Sequence, residues 1–93
     1  MRLKQKIIWF FREHFKNYRL SDKIKRRSVK KLKKLKRKFR KKNRRNPSRR
    51  ELGRLIISAS HIAYRRRGKK GHWVRQRIRE YLFNMHGIDF KQR

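Results

Sequence analysis

Between Lys23 and Arg50 the chain runs for 28 residues without an acidic side chain and carries eighteen Lys and Arg. A run this basic is normally solvated and unstructured, because like charges repel and little apolar surface is there to bury. Apolar and small residues interrupt it at regular intervals, however. Ile24, Ser28, Leu32, Leu35 and Phe39 fall at steps of 4, 4, 3 and 4, with Val29 beside them. That period belongs to one edge of a helix, and Lys, Arg and Leu are good helix formers. The spacing therefore predicts a long helix with a thin apolar seam. Over residues 22–45 it would reach about 36 Å, at 1.5 Å per residue. Like charges at i,i+4 repel, so this helix is expected to fray when free and to order on binding.

A seam needs something to pack against, and the flanking segments supply it. Leu3, Ile7, Phe11, Phe15 and Tyr18 predict an amphipathic helix before the basic run. After it, Asn46-Pro47 ends helical geometry, and Ser48-Arg-Arg-Glu51 is a capping box. Leu52, Leu55, Ile56, Ala59, Ile62 and Ala63 then form the clearest helical stripe in the chain. A basic loop with two glycines is expected from Arg65 to His72, and a last helix from about Trp73 to His86. Val74, Ile78, Tyr81, Leu82 and Met85 share one face of that helix, and Gly87-Ile88 reads as its cap. The expected architecture is all-α, a small bundle of three to four helices with a C-terminal helical hairpin and a long basic central helix. Its parts are an amphipathic helix over 1–20 packing on the hairpin, a basic helix or arm over 21–46, and the hairpin module over 47–93.

Thirty-five Lys and Arg against five Asp and Glu leave a formal net charge of +30. Self-repulsion on this scale calls for a polyanion, and nucleic-acid phosphate is the first candidate, ahead of anionic lipid. The chain has no cysteine, which removes disulfides and thiol chemistry. No apolar stretch approaches the roughly 20 residues that span a bilayer. The N-terminal apolar run is too short for a secretory signal. The expected location is intracellular and cytoplasmic, with mitochondrial or nuclear placement left open.

Phosphate neutralisation is assigned to Lys30, Lys31, Lys33, Lys34, Lys36, Arg37, Lys38, Arg40, Lys41, Lys42, Arg44 and Arg45 in the basic helix. Ordinary solvated faces mix both signs of charge, and this one does not. A second contact is assigned to Arg65, Arg66, Arg67, Lys69 and Lys70, where Gly68 and Gly71 would let backbone approach a phosphate chain. Trp73 could stack there on an unpaired base. Aromatic residues of the first helix could lie on a membrane surface, but filling the open face of the hairpin is the preferred role.

His14, His61, His72 and His86 show no ligand spacing, so neither metal nor cofactor is expected. Each acid has a local explanation in a cap or an i,i+3 pair, and no catalytic pairing emerges. The chain is expected not to be an enzyme. A long Lys/Arg helix on a small helical module resembles, in composition alone, the basic extensions of ribosomal proteins. That resemblance implies elements that thread between RNA helices and neutralise phosphates. The expected function is RNA binding as a structural or accessory component of a ribonucleoprotein, with RNA favoured over DNA. One alternative is a DNA-binding helical protein, helix-turn-helix-like or architectural, reading with Arg75, Arg77 and Arg79; the span from Arg65 to His72 is long for that motif. Another is a small inhibitor or accessory factor of a nucleic-acid-processing enzyme.

Overall fold

Three helices follow one another in the computed structural model, which describes residues 19–88: α1 (Asp22–Asn43), α2 (Arg49–Ala63) and α3 (Gly68–Met85). The described residues contain no strand. The helix expected over Leu3–Tyr18 lies outside the described residues.

Local chemistry sets the boundaries. Ser21 caps α1 by accepting a hydrogen bond from the Ile24 amide at 3.2 Å, with Asp22 in the first turn. At the other end Arg44 adopts left-handed backbone (φ 56°) and donates its amide to Arg40 O at 2.7 Å. The expected capping box forms at α2: Ser48 Oγ accepts from the Glu51 amide at 3.2 Å, and Glu51 Oε1 accepts from the Ser48 amide at 3.0 Å. α3 ends in a Schellman motif. Gly87, at φ 67°, donates to Asn84 O at 3.1 Å, and Ile88 donates to Phe83 O at 2.9 Å. Ile88 is buried and joins the core.

The core gathers one face of each helix. Leu32 of α1 meets Ile56, Ala59 and Ala63 of α2 and Val74, Ile78, Leu82 and Phe83 of α3. Ile24, Val29 and Leu35 pack at its margin, so the thin seam of the basic run is the edge that α1 buries. Ser28 belongs to that edge, fully buried, its hydroxyl satisfied by Lys25 O at 2.8 Å.

Three expectations are corrected. α3 begins at Gly68, not Trp73, so the connection after α2 is only Tyr64–Arg67 and Lys69 and Lys70 are helical. Gly68, at φ 92°, opens the helix with backbone that favours glycine, so a residue read as a loop marker is a helix start. Met85, expected on the core face, is 51% exposed, while Phe83 is fully buried. Successive helical residues point about 100° apart, so burial of both Leu82 and Phe83 means α3 is covered on more than one side near its end.

Candidate nucleic-acid interface

α1 distributes its cations by helical geometry. Ser28 and Leu32 point into the core, and at about 100° per residue Lys30 and Arg37 lie on the opposite side of the helix. Ten of the twelve cations assigned to this helix and its end are exposed: Lys30, Lys33, Lys34, Arg37, Lys38, Arg40, Lys41, Lys42, Arg44 and Arg45. Lys31 and Lys36 are half-buried beside the seam, where their alkyl stems can cover apolar surface while the ammonium groups stay in water. An open depression lined by Arg37, Arg40, Lys41, Arg44, Arg45 and Asn46 marks the C-terminal end of the helix. Cations there also complement the negative end of the helix dipole.

Arg45, also exposed, differs from the others in having an acidic partner. Its guanidinium donates to both carboxylate oxygens of Glu51, Nη1 to Oε1 at 2.7 Å and Nη2 to Oε2 at 3.0 Å. It also lies over the Phe39 ring, 5.2 Å from the centroid. The hydrogen bonds from Arg45 and from Ser48 lower the Glu51 carboxyl to a pKa of about 2. Arg45 therefore joins α1 to the start of α2, and its fork is already filled.

The second basic cluster lies where α2 passes into α3. Arg65, Arg66, Arg67, Lys69 and Lys70 are all exposed. The backbone beneath them is held from inside: Arg75 Nη1 donates to Tyr64 O at 3.0 Å and to Arg66 O at 2.7 Å. Gly71 is buried against the Arg66 carbonyl, in space that no β-carbon could share. The expectation that Gly71 admits a phosphate chain is thus replaced: its missing side chain admits the protein's own loop. The Arg67 N-cap supplies no side-chain acceptor to α3, and the first turn has no acid. Lysines in that turn oppose the helix dipole, an arrangement that nearby anionic charge would relieve. Trp73 is half-buried and packs edge-on to His72, with centroids 5.6 Å apart. Tyr64 packs against the core.

Of the α3 arginines that a DNA-groove reading uses, Arg75 and Arg79 donate to other parts of the fold and Arg77 pairs along its own helix. Arg75 holds the loop, and Arg77 pairs with Glu80 at 3.2 Å. Arg79 donates from Nε to Ser60 Oγ at 3.0 Å and from Nη1 to Gln76 Oε1 at 3.3 Å, and its Nη2 lies 2.9 Å from His61 Nε2. Loss of solvent around the ring, then the positive charges of Arg79 and Arg75, hold the His61 pKa below its ordinary value. The connection of Tyr64–Arg67 is four residues, within the range of a helix-turn-helix and shorter than expected.

Spacing alone did not disclose the groove between α1 and α3. Asp22, Lys25, Arg26, Lys30 and Lys33 line it with Val29, Tyr81 and Met85, and the Lys25 ammonium is 5.4 Å from the Tyr81 ring centroid. Pairing of Lys25 with Tyr81 crosses 56 positions of chain (81 − 25), so no local pattern could signal it. Among the described residues, no three or more His, Asp or Glu converge as a metal site, and no helix is long and apolar enough to cross a membrane. No protein family, curated protein or solved structure matches this chain.

Proposed function

We propose that this is a small basic nucleic-acid-binding protein that contacts mainly phosphates, with RNA favoured over DNA, acting as a structural or accessory component of a ribonucleoprotein. In this reading α2 and α3 form a helical hairpin and α1 is the basic element that the hairpin holds in shape. The observation that carries the proposal is the face of α1 turned away from the core. It presents exposed cations through Arg44 with no acid among them. Such a surface binds through release of counterions, independently of sequence. The exposed cluster around Arg66 adds a second contact of the same chemistry. RNA is favoured because two of the three α3 arginines that could have read a DNA groove, Arg75 and Arg79, donate to groups of the connecting loop and of α2. DNA binding through phosphates alone is the competing outcome of the test.

Two measurements test the proposal. Protein purified at low salt without nuclease is expected to carry a 260 nm absorbance that RNase removes and DNase does not. Removal by DNase alone would transfer the reading to DNA, and a clean protein spectrum would reject both. If about ten phosphates are engaged, log K should fall with log salt at a slope near −7 for single strands and near −9 for duplex DNA. A slope near −2 would mean that most of these cations do not touch the ligand.

A further inference from the structure

The two basic surfaces lie on different elements, one on α1 and one where α2 passes into α3. The cations of α1 are exposed on the side opposite Ser28 and Leu32, which are 0% and 2% exposed. The loop cluster hangs from the far ends of α2 and α3, next to the buried Ala63 and Val74. The core that joins Leu32 to Ala63 and Val74 therefore lies between the two surfaces.

Neither surface is a loose tail. α1 is pinned by its seam and by the Arg45–Glu51 bridge at its end. The loop is pinned by two hydrogen bonds from Arg75 to its carbonyls and by Gly71 beneath Arg66. A loop needed only to connect two helices has no use for three consecutive arginines, which repel one another. Fixing the backbone under them keeps Arg65, Arg66 and Arg67 displayed outward, and lowers the ordering cost when an anion arrives. One duplex on α1 also leaves the loop charge uncompensated, so a second polyanion still gains from binding.

We infer that one molecule holds two separate segments of nucleic acid, one on the exposed face of α1 and one on the Arg65–Arg67 loop, and so draws them together. The inference rests on the nucleic-acid reading above and adds a stoichiometry and a geometry to it.

The test uses the full chain and two short RNA hairpins, one carrying a donor dye and the other an acceptor, at about physiological salt. Energy transfer is expected when protein is added to the mixture, together with a complex of one protein and two hairpins by sedimentation. Lys30→Glu with Arg37→Glu alters the α1 face, and Arg65→Glu with Arg66→Glu alters the loop. Each pair changes only exposed side chains, and circular dichroism checks that the fold survives. Each is expected to keep binding one hairpin and to lose the two-hairpin complex by about tenfold or more. Arg50→Glu with Arg54→Glu makes the same change in net charge on exposed residues of α2, and is expected to keep the two-hairpin complex. Arg75→Ala, which frees the loop backbone, should weaken bridging more than binding of a single hairpin.

A complex that stays at one hairpin per protein under saturation would overturn the inference while leaving the nucleic-acid reading intact. Equal loss of bridging in the Arg50/Arg54 variant would also overturn it, since net charge alone would then account for bridging. Absence of binding to any single hairpin would overturn both.

Discussion

Gly71 illustrates how much of this fold rests on one missing methyl group. A β-carbon there would collide with the backbone carbonyl of Arg66, which cannot swing aside as a side chain could. Gly71→Ala is therefore expected to destabilise the protein by about 1–3 kcal/mol, the range for overpacking a filled interior, with the loss read from chemical denaturation. An unchanged midpoint would mean that the loop is not seated there. Glu51 works through charge. Its folded pKa of about 2 lies below the ordinary value of 4.5, so its contribution to stability is complete above pH 4.5 and is lost as pH falls toward 2. Gln at this position can still serve a capping box but does not titrate. Glu51→Gln is thus expected to lower the melting temperature at neutral pH and to converge with the wild type near pH 2. Parallel melting curves across that window would refute the Arg45–Glu51 linkage. Both residues carried local signals, a capping motif and a glycine in a basic stretch. Only the first signal named its role correctly, because the Gly71 contact is made with a carbonyl five positions back in the connecting loop (71 − 66).

At the scale of the element, α1 is a helix whose own charges oppose it. Every exposed turn places like charges at i,i+3 or i,i+4, each unfavourable by a few tenths of a kcal/mol. The seam offsets that repulsion, and Leu32, 2% exposed, is its most buried apolar side chain. Leu32→Ala is expected to cost about 2–5 kcal/mol, the range for truncating a buried leucine. The loss of helical circular dichroism should exceed that expected from unfolding α1 alone, since α2 and α3 share its core. The same repulsion makes helix content a sensor of ligand. Titrating RNA into the free protein is expected to increase the helical signal through the turns of α1 beyond its packed seam, and a flat titration would show those turns already formed. The seam was readable because its period is local and its polar neighbours are unambiguous. The start of α3 was not, because glycines and basic residues look alike in a loop and in an unusual first helical turn.

For the whole molecule, a net charge of +30 on 93 residues sets the energetic background. Compaction gathers these charges, so any polyanion that prefers the folded state stabilises it by mass action. A ligand at 100 times its dissociation constant contributes about 2.7 kcal/mol. Thermal melting in short RNA is accordingly expected to shift upward by several degrees, and the shift should shrink as salt is raised and screening increases. A salt-independent shift would point to a contact other than phosphate. The sequence by itself determined the charge and the all-helical class, because these follow from residue types and from periods of three and four. The tertiary structure alone decided which cations are available. Arg45, Arg75 and Arg79 have the same composition and the same apparent freedom as Arg37 or Arg66, yet their guanidinium groups are turned onto Glu51, onto loop carbonyls and onto Ser60. Planar donors with five N–H groups take whatever acceptor the fold brings within reach, and chain proximity does not reveal which acceptor that is.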